Sequence, residues 1–122
     1  MNTPEHNIQV AYFDLIRLYE NKHPTLKRIY AIPNAGKRSK FQGEWLKDEG
    51  LLPGVWDVFI SVAMDFSSGM YIEFKVKPNK LTESQINFRE LNKGQYAFKV
   101  CYDAEEAFKA TTQYLGIRLN SY

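Results

Sequence analysis

Hydrophobic positions along this chain return in two rhythms, one of three to four residues and one of two. After Thr3 and Pro4, which suit an N-cap followed by proline at the first helical position, Ile8, Tyr12, Leu15, Ile16 and Tyr19 recur at helical spacing. They predict an amphipathic helix over about 4–21. RIYAIP (28–33) predicts a short strand, and NAGKRSK after it a polar, basic turn. A second helix is expected over about 38–49, stopped by Gly50, with LLPG forming the next loop. WDVFISVA (56–63) and MYIEFKVK (70–77) are rich in β-branched and aromatic residues and are separated by the turn chemistry of FSSG, so they are expected to pair as an antiparallel hairpin.

Thr82 with Gln85 three residues later makes a capping box, which predicts a helix over about 83–93 closed by Gly94. Tyr96–Cys101 is a further strand, and Asp103 with Glu106 repeats the capping pattern before a last helix ending near Gly116. The order helix, strand, helix, strand, strand, helix, strand, helix in 122 residues implies one α/β domain, 1–122. Its expected form is a single mixed sheet flanked by helices on both faces.

Composition narrows the setting. Cys101 is the only cysteine, which excludes an internal disulfide and a thiolate metal cluster and fits a reducing environment. MNTPEHNIQV lacks the basic and then apolar pattern of a secretory signal, and no window approaches a membrane span, so a cytoplasmic location is expected. A net charge of +2 does not by itself argue for a nucleic-acid partner. Clustering does more: Lys37, Arg38 and Lys40 share one turn, while Lys75, Lys77 and Lys80 share another segment. Both suit phosphate contacts, and the absence of a base-reading motif favours recognition by shape. His6 and His23 carry no catalytic pattern.

The chemistry lies in MYIEFKVK. Strand side chains alternate, so Ile72, Phe74 and Val76 form a core face and Tyr71, Glu73 and Lys75 share the other. A Glu and a Lys there are costly if covered, unless they are paired, ligand-bound or open to solvent. Hairpin pairing would bring Asp57 close to Glu73, giving two carboxylates and an amine. Two adjacent carboxylates repel and suit a hard divalent cation such as Mg2+ or Mn2+. A nearby lysine that does not bind the metal can orient water and stabilise a phosphoryl transition state. The competing reading is a solvated Glu-x-Lys face on an edge strand, with Asp57 as a turn residue.

In these motifs the chain resembles the PD-(D/E)XK nuclease superfamily, whose core is restriction-endonuclease-like. PNAGKR, GLLPGVWD, IEFK and LTESQ, in that order, resemble more specifically the virus-type replication-repair nuclease (VRR-NUC) domain of the stand-alone phage or bacterial kind. The resemblance runs over nearly the whole chain. It implies that Asp57 and Glu73 ligate the catalytic metal with the Phe74 carbonyl, that Lys75 positions the attacking water, and that Gln85 supports the site. For Gln85 the capping box is an equal explanation. Glu5 matches a glutamate of the family's first helix that can complete the metal site, and equally a carboxylate favoured by the helix dipole. Trp56 departs from the proline usual before the aspartate and reads as a packing residue.

The function implied is a metal-dependent, structure-selective DNA endonuclease, as a homodimeric Holliday-junction resolvase acting in DNA repair. A flap or nicking endonuclease is the enzymatic alternative. A non-catalytic nucleic-acid binding module, or a structural subunit of a larger assembly, stands outside catalysis.

Overall fold

The computed structural model describes residues 3–33 and 40–119. Helix α1 (Pro4–Tyr19) is capped by Thr3, whose hydroxyl accepts the His6 N–H at 3.0 Å. Proline at its first position costs nothing, because that N–H has no partner within a helix. A 3-10 turn, Pro24–Arg28, leads into β1 (Ile29–Ala31), followed by α2 (Lys40–Asp48), β2 (Val58–Ile60) and β3 (Met70–Phe74). Then come α3 (Glu83–Asn92), β4 (Ala97–Cys101) and α4 (Ala104–Leu115). The order is the expected one, with shorter strands. β3 stops at Phe74 because the chain turns at Lys77 and Pro78, where the Val76 carbonyl accepts the Asn79 N–H at 2.9 Å.

The four strands form one sheet in the order β1-β2-β3-β4. β2 and β3 are the expected antiparallel hairpin, in register Val58 to Ile72 and Phe59 to Tyr71, while β4 lies parallel to β3. A parallel neighbour needs a crossover, and α3 supplies it. The sheet is therefore mixed, and β3 is an inner strand with a partner on each side.

Alternation along β3 separates two environments. Met70, Ile72 and Phe74 join Val58, Ile60, Tyr12, Ile16, Ala107 and Phe108 in one core, so α1 and α4 cover that face. The two helices are tied by a buried hydrogen bond of 2.7 Å between the Tyr12 and Thr111 hydroxyls. Helix α3 covers the other face, where the Phe88 ring meets Tyr71 edge-on at 5.1 Å and Phe98 stacks on Tyr71 at 5.3 Å. Helices thus flank both faces.

The helix ends follow the expected signals with one difference. Thr82 and Gln85 make the reciprocal capping box of α3. At α4 the Asp103 carboxylate accepts the Glu106 N–H, but Glu106 reaches back to the N–H of Tyr102, at 2.7 Å, one residue before the cap. Gly116 ends α4 in the left-handed region at φ 70°. No helix among the described residues is long and apolar enough to cross a membrane.

Ile72 is fully buried at the middle of the inner strand. Ile72→Ala should lower unfolding stability by about 2–5 kcal/mol, seen in urea denaturation as a lower midpoint at an unchanged slope. A loss below about 1 kcal/mol would mean that the two-faced packing is wrong.

Candidate active site

Asp57 sits one residue before β2, and the backbone holds it from several directions. Its carbonyl accepts the Ile32 N–H at 2.8 Å, which continues the pairing of β1 with β2. Its carboxylate Oδ2 accepts the Phe74 N–H at 2.9 Å. Its own N–H donates to Glu73 Oε1 at 3.2 Å. The hairpin register explains the meeting, because Val58 opposite Ile72 brings residue 57 opposite residue 73. A carboxylate bound to a neighbouring strand's amide cannot swing away without breaking that bond.

Glu73 lies under the first turn of α3. Its Oε2 accepts Gln85 Nε2 at 2.9 Å and lies 3.7 Å from Lys75 Nζ. Glu73, Lys75 and Gln85 are only 3%, 8% and 7% exposed, so the solvated-face reading of Glu-x-Lys does not hold. Because β3 is an inner strand under a helix, both charges are covered, and each is paired. Gln85 serves two purposes: Oε1 accepts the Thr82 N–H at 2.9 Å to close the capping box, while Nε2 holds Glu73. The two explanations of Gln85 are therefore compatible.

Electrostatically the site is short of positive charge. Burial, above all, pushes the Glu73 carboxyl up to about 8 from its ordinary 4.5, and the neighbouring Asp57 pushes in the same direction. Lys75 and the Asp57 N–H oppose the rise without cancelling it, while a hydrogen bond between the two carboxyl groups adds to it. One ammonium faces two carboxylates. A proton shared between them, or a cation, restores the balance.

The donor set fits a small divalent cation. Both side chains offer hard oxygens, their mutual repulsion favours a bound charge, and Mg2+ is commonly held by one or two carboxylates with water and phosphate completing its shell. The backbone of Phe74 is beside the pair through its bond to Asp57. Glu5 occupies the first turn of α1, half-buried. Among the described residues no three His, Cys, Asp or Glu side chains are grouped closely enough to hold a metal, so Glu5 is not brought together with Asp57 and Glu73.

The expected phosphate-binding residues fall into two sets. Lys77 and Lys80 are exposed in the loop between β3 and α3, and the Lys77 ammonium lies 5.3 Å from the centre of the Tyr102 ring. Lys37 and Arg38 lie outside the described residues, as does the side chain of Lys40 at the start of α2. Two supports had no spacing signal: the Phe74 amide on Asp57, and the Trp56 indole N–H, which donates to the Gln85 carbonyl at 3.0 Å. Only the aromatic residue directly before Asp57 hinted at the second.

A carboxyl raised in the folded state binds its proton more tightly there than when unfolded. Its contribution to stability is complete below about pH 4.5 and is lost as pH rises toward about 8. In EDTA, the melting temperature of the wild-type protein should therefore fall over that interval, and Glu73→Gln should remove most of the fall. Parallel pH profiles for the two proteins would refute the buried-pair assignment.

No family model matches the chain, and no curated protein matches it. Among solved structures it is similar to one described as a "VRR_NUC domain protein", with a TM-score of 0.74 and 19% sequence identity over 95% of this chain and 91% of that one. The overlay spans both chains almost entirely, and it agrees with the resemblance carried by PNAGKR, GLLPGVWD, IEFK and LTESQ. The chain has the fold of a VRR-NUC domain.

Proposed function

We propose that this protein is a metal-dependent, structure-selective DNA endonuclease that hydrolyses phosphodiester bonds, and that it works as a homodimeric Holliday-junction resolvase. The observation that carries the reading is the convergence of the half-buried Asp57 with the buried Glu73, Lys75 and Gln85 at the end of the inner strand. In a VRR-NUC fold this is a polar centre that packing does not need. A protein that merely bound nucleic acid would gain nothing from two carboxylates beside phosphates, which they repel.

Asp57, Glu73 and the Phe74 carbonyl would hold Mg2+ or Mn2+, which when bound supplies a Lewis acid for the scissile phosphate. The chain's own residues do the rest. Asp57 is kept in place by the Phe74 amide, and Gln85 fixes the rotation of the Glu73 carboxylate. Lys75 pairs with Glu73 and offers its remaining N–H groups to the attacking water and to a non-bridging phosphate oxygen, where negative charge grows as water adds and the ester P–O bond breaks. Lys77 and Lys80, exposed in the adjoining loop, suit contacts to the flanking phosphates. Symmetric incision of a junction needs two sites, and a C2 homodimer provides the second.

End-labelled four-way junction, flap and linear duplex DNA, each with Mg2+, Mn2+ or EDTA, test the reading. Paired symmetric cuts in the junction, abolished by EDTA, are expected, and Glu73→Gln and Lys75→Ala should each slow cleavage by about 100-fold or more while remaining folded by circular dichroism. Cleavage of the flap alone would replace the resolvase with a flap endonuclease. Tight binding without cutting under any metal would contradict catalysis.

A further inference from the structure

Trp56 is the largest fully buried side chain of the described residues, at 1% exposure, and it directly precedes Asp57. A buried indole N–H needs an acceptor, and many carbonyls could serve. The one it uses belongs to Gln85, at 3.0 Å, the residue whose side-chain amide holds Glu73. The indole also meets the Phe98 ring edge-on at 4.9 Å, so its orientation is fixed by packing as well as by the bond. Two residues earlier, Gly54 adopts φ +93°, and a Cβ there would lie 2.4 Å from the Ser84 carbonyl oxygen. Only glycine permits so close an approach of the two backbones. The loop before Asp57 is therefore docked on the first turn of α3 at two successive residues, Ser84 and Gln85.

We infer that Trp56, braced by Gly54, is a positioning residue that sets the separation of the two carboxylates, with Gln85 as their common reference. Asp57 comes from the loop before β2 and Glu73 from β3, and a cation between them tolerates little change in their spacing. The main chain of Gln85 fixes the loop that delivers Asp57, and its side chain fixes Glu73. The capping box holds Gln85 itself, since Thr82 engages both its backbone N–H and its side-chain oxygen. Without the indole donor the core on the α1 and α4 side is untouched, but the loop loses its hydrogen bond to Gln85, and the spacing between Asp57 and Glu73 is held less tightly.

The inference rests on the cation site proposed above, and its test reads that site without cleavage. Mn2+ alone is titrated calorimetrically into wild-type protein, into Trp56→Phe, and into protein in which residue 56 is 3-benzothienylalanine, a sulfur isostere of tryptophan that lacks only the N–H donor. Thermal melts are run alongside. Mn2+ binding weakened about 10-fold in the isostere, with a wild-type melting curve, is the expected result, and Trp56→Phe should be weakened at least as much. If the isostere binds Mn2+ as tightly as the wild type, the inference is overturned, and a lowered melting temperature with unchanged affinity would reduce Trp56 to packing. Failure of the wild type to bind Mn2+ would instead remove the cation site, and the inference with it.

Discussion

Two carboxyl groups, the buried Glu73 and the half-buried Asp57, are held beside each other under the start of α3, and one ammonium, that of Lys75, pairs with Glu73. Their repulsion and desolvation work against folding, and together they keep Glu73 protonated well above the ordinary carboxylate range. Such a pair survives only where the surroundings hold it firmly. The surroundings here are the Phe74 amide, the Asp57 amide, the Gln85 side chain and Lys75, each with a named partner. Among the described residues no buried side-chain polar atom lacks a hydrogen bond. The cluster is a built feature of the fold.

The architecture answers to that cluster. β3 must be an inner strand, because both neighbours contribute: β2 brings residue 57 opposite Glu73, and β4 continues the ladder by accepting the Lys75 N–H at the Cys101 carbonyl, at 3.1 Å. The β3–α3–β4 crossover then lays the start of α3 over the strand's end, where Gln85 meets Glu73. The opposite face of the same strand is wholly apolar and carries the packing against α1 and α4. One strand thus divides its residues between stability and chemistry by the simple alternation of its side chains.

Much of this was legible in the residues. Thr82 and Gln85, at capping-box spacing, marked the start of α3, and FSSG between two β-rich runs marked the hairpin. The alternation in MYIEFKVK set Glu73 and Lys75 on one side. Strand order was not legible, since a parallel partner for β3 depends on a crossover that leaves no local signal in Ala97–Cys101. Burial of Lys75 was open for the same reason: Glu-x-Lys reads alike on an edge strand and on an inner one. The Trp56 bond to Gln85 joins residues 29 positions apart, and only the folded chain reveals it. Glu106 reaching Tyr102 in place of Asp103 is a matter of rotamer, which spacing does not specify.

The central claim is that the Asp57 and Glu73 pair is a divalent-cation site. Diffraction from crystals grown with Mn2+, with data collected at the manganese absorption edge, reads it directly. An anomalous peak bound by carboxylate oxygens of both residues, with the Phe74 carbonyl beside it, is the result predicted. A map with no peak there, or with manganese bound only elsewhere on the surface, would contradict the account.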